Sequence, residues 1–232
     1  ISPDETLKIV QELYEKKLVT YPRTDARVLS TAVAKEINRN ISGLKQVPAF
    51  AAFADEVLAM GSYKKIASTR YTNDKQITDH YAIIPTGQGL GALKGLSLTA
   101  QRVYETIVRR FLSIFYPPAV YQKVSLVTKM ENESFFSSFK VLLSEVYLKI
   151  AANSFAKKSM AEASGKASES EGEGEVSCDE ALLAALQKLK KGDILNINGL
   201  GIKEGETSPP KRYNSGSMIL AMENAGQLIE DE

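Results

Sequence analysis

Near the start of this 232-residue chain, Tyr21-Pro22-Arg23-Thr24-Asp25 sets a phenol, a guanidinium, a hydroxyl and a carboxylate within five residues, directly after Leu18-Val19-Thr20. A phenol ionises near pH 10, so at neutral pH it is a weak nucleophile unless its anion is stabilised. Arg23 can supply that help, because its permanently charged planar fork also matches two phosphate oxygens. The set suits attack of Tyr21 on a phosphodiester, with Arg23 countering charge in the transition state. Pro22 pushes the residue before it out of the α region, which holds Tyr21 extended. Asp25 is placed to accept a hydrogen bond from a neighbouring arginine and steady it. Taken alone, the run is equally compatible with an ordinary turn in which Tyr21 packs on the core and Arg23 is solvated.

The single histidine, His80, stands in Thr78-Asp79-His80-Tyr81-Ala82-Ile83-Ile84-Pro85-Thr86. Histidine is the side chain whose charge changes nearest pH 7. Asp79 would favour its cation if the two side chains met. The cation would be favoured near a phosphate, and Ile83-Ile84-Pro85 is expected to pack behind the histidine. An isolated histidine is more often a surface or structural group, so its weight depends on agreement elsewhere in the chain.

Tyr21-Pro22-Arg23-Thr24-Asp25 resembles the nucleophile motif of type IA DNA topoisomerases, in the form used by the bacterial topoisomerase III branch. His80, one variable residue and then Ala82-Ile83-Ile84-Pro85-Thr86 resemble the second signature of that family. Thr207-Ser-Pro-Pro-Lys-Arg-Tyr-Asn214 resembles a third, a Pro-Pro-x-Arg-aromatic element. The resemblance implies an α+β multidomain fold. A helical domain carrying the nucleophile tyrosine would span residues 1–117. A β-rich arch domain would span 118–208, with a flexible insertion near 157–177, and the following helical domain would begin over 209–232. The implied activity is cleavage of one DNA strand through a 5′-phosphotyrosine, passage of a strand and resealing. No ATP is needed, because one phosphate ester is exchanged for another. Tyr21, Arg23 and His80 would be catalytic, with Asp25 and Asp79 in support. Arg27, Arg102, Arg109, Arg110 and Arg212 would contact DNA, chiefly single-stranded.

The resemblance also implies magnesium, held by an acidic N-terminal domain that precedes this region. No Asp-x-Asp cluster occurs in the chain, so no metal ligand is assigned within it. The start at Ile1 and the charged end read as a piece of a longer polypeptide, which by itself should not relax DNA yet should bind single strands weakly. Two positions depart from the family pattern. Phe139 and Val146 stand where the family often has glycines around its Lys-Val-Leu strand, so any tight turn or bulge there requires different geometry. Ala26 replaces a common serine.

Composition bounds these readings. The hydrophobic fraction of 44% is that of a globular chain. No apolar run approaches the roughly 20 residues of a membrane span, and no membrane partner is expected. The lone Cys178 can form neither an internal disulfide nor a thiolate metal site, which suits a reducing cytoplasm; the resemblance implies a nucleoid-associated monomer. Net charge is only +1. It divides unevenly, however: residues 1–123 carry 17 Lys+Arg against 11 Asp+Glu, and the remainder 12 against 17. A basic half beside an acidic half fits nucleic-acid contact confined to one part of the molecule.

Elements must position these groups. Ser2-Pro3-Asp4-Glu5 is a capping box with proline at the first helical position, followed by Leu7, Val10, Leu13 and Tyr14 at helical spacing. Ser30 caps a helix with Val33 and Ile37. Pro48 opens another with Phe50, Phe53 and Val57. Residues 61–96 read as irregular. Thr99 is expected to cap a helix over 100–115 with the stripe Val103, Ile107, Phe111 and Ile114. Residues 120–130 and 135–143 read as a hairpin around Glu131-Asn132-Glu133. Residues 146–151 read as a further strand, 181–190 as a short helix, and Ile194, Leu195 and Ile197 as a strand. Glu171, Glu173 and Glu175 lie in a Gly/Ser-rich run that cannot fix a metal site. Asn214 caps a last helix, whose Met218, Ile219, Met222 and Leu228 are expected in a core.

Two other classes compete. A noncatalytic single-strand-binding module would use Tyr21, Tyr63, Tyr71 and Tyr81 as stacking platforms. An unrelated recombinase would need several catalytic arginines and further proton donors, which fits a single histidine poorly.

Overall fold

The computed structural model describes residues 1–153, 176–177, 180–196, 199, 204–207 and 209–227. Helix α1 (Pro3–Glu15) starts where the Ser2 hydroxyl accepts the Glu5 N–H at 3.1 Å, and Asp4 and Glu5 sit at its positive end. It ends with a sharp reversal. Lys17 takes a φ of 61°, its N–H reaches the Tyr14 carbonyl, and the Leu18 N–H reaches the Leu13 carbonyl. That pair of bonds is a Schellman ending, built here on a lysine instead of the usual glycine. Its effect is to turn Leu18 and Val19 straight into the core, where both are buried.

Helix α2 (Thr31–Leu44) is capped by Ser30, and α3 (Pro48–Met60) opens on a proline. Three short 3-10 turns, Ser62–Ser68, Asp74–Gln76 and Leu90–Gly95, give shape to the stretch expected to be irregular. Helix α4 (Leu98–Ser113) is capped by Ser97, two residues before the expected Thr99. Its buried face runs through Ala100, Tyr104, Val108, Phe111 and Leu112. The expected stripe of Val103, Ile107 and Ile114 is rotated to the flank of the core, half-buried. These helices share one core with Leu13, Leu18, Ile37, Ile41, Leu44 and Val57 fully enclosed, each worth roughly 1.5–3 kcal/mol of apolar burial. Tyr116 ties the end of α4 to α3 by donating to the Glu56 carboxylate at 2.8 Å. Burial and that carboxylate push its hydroxyl well above the usual phenol range.

Strands β1 (Val120–Met130) and β2 (Glu133–Ser144) form the expected antiparallel hairpin, with Met130 opposite Glu133 across a two-residue turn. A two-residue strand, β3 (Val176–Ser177), adds to β2 in parallel, giving the order β1-β2-β3. The molecule is thus α+β in character. Residues 147–151 are not a strand but helix α5 (Tyr147–Ala151), which seats Ile150 in the helical core at 1% exposure. Helix α6 (Glu180–Lys188) appears as expected. Ile194 and Leu195 are not in a strand and are 92% and 48% exposed, while Ile197 lies outside the described residues. Helix α7 (Ser215–Glu223) carries a full capping box at Asn214 and Ser217. Its Met218, Ile219 and Met222 are exposed instead of core, and Leu228 lies outside the described residues. So do Glu171, Glu173, Glu175, Cys178 and most of 157–177. None of the described helices is long and apolar enough to cross a membrane.

Candidate active site around Tyr21 and His80

The segments around Tyr21 and His80 meet through a short ladder of backbone and threonine hydrogen bonds. Val19 pairs with Pro85 in an antiparallel bridge. The Thr86 N–H reaches the Leu18 carbonyl at 3.0 Å, the Thr20 N–H reaches the Ile84 carbonyl at 3.0 Å, and the Ala82 N–H reaches the Val28 carbonyl at 2.9 Å. Threonine hydroxyls fill the remaining places. Thr20 Oγ1 donates to the Ala82 carbonyl at 3.2 Å and accepts the Ile84 N–H at 2.9 Å. Thr24 Oγ1 donates to the His80 carbonyl at 2.7 Å and accepts the Ala26 N–H, and Thr86 Oγ1 donates to the Lys17 carbonyl. The groups bonded to Thr20, and the Ala26 N–H, would otherwise sit half-buried without a partner, at a cost of about 1–3 kcal/mol each.

Behind the ladder, Ile84 and Pro85 are buried as expected. Asn40 of α2 donates to the Pro85 carbonyl at 2.8 Å. Just beyond, α2 touches the loop backbone to backbone: a Cβ on Gly43 would lie 2.2 Å from the Gly87 carbonyl oxygen. No side chain fits there, so Gly43 sets the distance between α2 and the His80 segment.

On this frame the Tyr21 ring is half-buried between two others. The Tyr14 ring meets it edge-on at 5.3 Å between centroids, and the His80 imidazole lies 4.5 Å away at a tilt of 46°. Pro22 is buried, whereas Arg23 and His80 are exposed. Arg23 has no hydrogen-bond or ion-pair partner among the described residues. The phenol and the imidazole are thus in ring contact, and Arg23, two residues after Tyr21, is exposed and unengaged among the described residues. Residues of these types have the chemistry to bind a phosphate and to exchange a proton.

The supporting and DNA-contact candidates are placed less uniformly. Among the described residues Asp25 pairs with no arginine, and its carboxylate accepts a long 3.5 Å bond from Thr78 Oγ1. Asp79 is exposed and makes no hydrogen bond or ion pair with His80. Arg27 is paired with Glu223 of α7 at 2.6 Å. Arg102, Arg110 and Arg212 are exposed. Arg109 corrects the expectation of a phosphate contact, because its side chain is turned inward. It is only 11% exposed, donates to Glu105 at 2.6 Å and to the Ile150 carbonyl at 3.2 Å, and its guanidinium lies 5.6 Å from the Phe53 ring centroid. A guanidinium so enclosed is spent on packing α5 against α4. No group of three or more His, Cys, Asp or Glu among the described residues is placed to hold a metal ion.

Several contributors carry no sequence signal. Tyr14 was legible only as one of a helical stripe, and it is the turn at Lys17 that swings Tyr21 back against it. Thr20, Thr24 and Thr86 are common residues whose ladder roles exist only once the two segments are adjacent.

Comparison with known proteins supplies an independent line. The family model described as DNA topoisomerase matches residues 1–227. A DNA topoisomerase 3 of Bacillus licheniformis is 34% identical over 232 residues, covering all of this chain and 29% of that protein. The DNA topoisomerase 3 of Bacillus subtilis is 32% identical over 234 residues, with the same coverage of each. The chain thus spans 29% of the length of these curated relatives.

Proposed function

This chain belongs to the DNA topoisomerase family, and from that premise we propose that it supplies the nucleophile-bearing part of a type IA, topoisomerase III-like enzyme. The observation that carries the reading is the Tyr21 ring against His80, brought together across the sequence beside an unengaged Arg23. In the proposed reaction Tyr21 Oη attacks the phosphorus of one DNA strand. The phenol proton leaves, the P–O bond to the neighbouring sugar breaks, and its oxygen departs as a free 3′-hydroxyl. The product is a 5′-phosphotyrosine. Resealing runs the exchange backwards, so one phosphate ester replaces another and no nucleotide is consumed. Arg23 binds the non-bridging oxygens as charge accumulates. His80, in ring contact with Tyr21, holds or relays the phenol proton.

In this reading residues 1–117 form the tyrosine domain, 118–208 the arch and 209–232 the start of the next domain. Arg27, Arg102, Arg110 and Arg212 track the single strand. Magnesium is held by carboxylates elsewhere in the parent polypeptide, and no step above is routed through it. We assign the parent to the cytoplasm, at the nucleoid, acting as a monomer, and expect the chain alone not to relax DNA.

Tyr21→Phe in the full-length polypeptide is the deciding variant, since it removes one oxygen and keeps the ring packing. Covalent attachment to labelled single-stranded DNA, seen as a denaturant-resistant gel shift, should vanish, while affinity changes by less than about twofold. Adduct formation by the phenylalanine variant would refute the assignment. Failure of adduct formation with Tyr21 intact, coupled with loss of binding in Tyr21→Ala, would favour the stacking-module alternative.

A further inference from the structure

Beside the ladder, between the His80 segment and α4, the surface opens into a cavity of about 250 Å³. Its floor is apolar, formed by Ile83, Ile107, Ile114 and the ring of Tyr71, and its rim carries two guanidinium groups, Arg27 and Arg110. The volume falls below the roughly 300–1,000 Å³ of pockets that enclose whole small molecules, and suits one flat ring. An apolar slot rimmed by two cations is the combination that holds single-stranded nucleic acid, where bases take the apolar surface and phosphates take the charge.

Arg27 already holds an anion at this rim. Its Nη2 lies 2.6 and 2.7 Å from the two carboxylate oxygens of Glu223, at the end of α7. A single nitrogen serves both oxygens, so the pair is not the two-nitrogen fork that arginine makes with its best acceptors. Both side chains are open to water, 72% and 50% exposed, and such pairs are weak and salt-screened. Arg110 has no ion-pair partner among the described residues.

We propose that this cavity is a base-accepting subsite for a nucleotide flanking the strand segment held at Tyr21. Arg27 and Arg110 take the phosphates on either side of that base. Glu223 occupies Arg27 until a phosphate displaces it, so α7 competes with the strand for the same guanidinium. This rests on the DNA reading of the Tyr21 site and adds where a neighbouring nucleotide is seated and which carboxylate opposes it.

The test measures fluorescence anisotropy of this chain with labelled oligo-dT and with an abasic oligonucleotide of the same length and charge. The unaltered chain should prefer oligo-dT. Ile107→Trp fills the slot and should erase that preference, lowering oligo-dT affinity about tenfold while sparing the abasic strand. Glu223→Gln, an exposed change that does not threaten the fold, should tighten both by about three- to tenfold. Arg27→Ala should weaken both, cancel the gain from Glu223→Gln, and reduce the slope of log affinity against log salt by about one. An unchanged affinity in Glu223→Gln, or an unchanged base preference in folded Ile107→Trp, overturns the inference alone. No binding by the unaltered chain to either strand overturns the functional reading and this inference together.

Discussion

At the scale of single residues, Thr20 does more for the site than its type suggests. Its hydroxyl closes the ladder on both sides, donating to the Ala82 carbonyl and accepting the Ile84 N–H. Thr20→Val keeps the shape but strands a half-buried donor and acceptor. It should cost about 1–3 kcal/mol in urea unfolding, with Thr20→Ser recovering most of the loss. Asp74 is a second such residue. The Thr31 hydroxyl and N–H both donate to its carboxylate and hold its pKa below the ordinary 3.8. A depressed carboxylate stabilises the fold fully above its ordinary value, and that contribution disappears as pH falls through the lower, folded one. Asp74→Asn should therefore lower the urea midpoint at pH 7, and the two proteins should converge in acid below the folded value. A constant gap across that range would show that Asp74 acts through something other than its charge. Tyr21, Arg23 and His80 could be singled out in the sequence because they stand in motifs that resemble those of a known family. Thr20 and Asp74 could not, because a threonine or an aspartate is notable only beside the partner that the fold brings to it.

At the scale of elements, caps and alternation were readable and faces were not. Ser2, Ser30 and Asn214 start helices as their types require, and the hairpin follows the alternation of β1 and β2. Helix α4 is apolar on two sides, so its periodicity alone could not choose between the Val103–Ile107–Ile114 side and the Tyr104–Val108–Leu112 side. Packing chose the second and left Ile107 and Ile114 of the first to line the cavity. Residues 147–151 were too short for periodicity to separate strand from helix, and insertion of Ile150 into the helical core decided it. Val146, at the junction of β2 and α5, has a φ of 36° and ψ of −101°. It stands where related sequences were expected to carry glycine, and the backbone keeps a glycine-like conformation with a branched side chain on it. There the usual order of small residues should invert: Val146→Gly should be more stable than Val146→Ala by about 1 kcal/mol in thermal unfolding. Equal stability of the two would mean that the junction carries no strain.

At the scale of the whole molecule, Arg109 couples parts that lie far apart in the chain. Enclosed with Glu105 and bonded to the Ile150 carbonyl, it clamps α5, and with it the base of the hairpin, to the helical unit. Arg109→Ala removes the ion pair with Glu105 and the donor to the Ile150 carbonyl, and should cost about 1–3 kcal/mol of stability. DNA affinity of the remaining folded chain, measured well below the unfolding midpoint, should stay within about twofold. A selective loss of affinity would restore Arg109 to the phosphate contacts. From sequence alone Arg109 looked equivalent to Arg110, one residue away, because charge is visible in one dimension and direction is not. The same division runs through the molecule. The helix starts at Ser2, Ser30 and Asn214 and the hairpin followed from residue types and local spacing, since those depend on backbone rules acting over a few residues. Tyr21, Arg23 and His80, by contrast, stood out as a site only through their resemblance to family motifs. Only the tertiary structure decided that Tyr21 and His80 face each other at 4.5 Å, that Arg109 points inward and that Glu223 reaches Arg27. Each of these depends on how separate elements pack against one another, and local spacing carries no term for it.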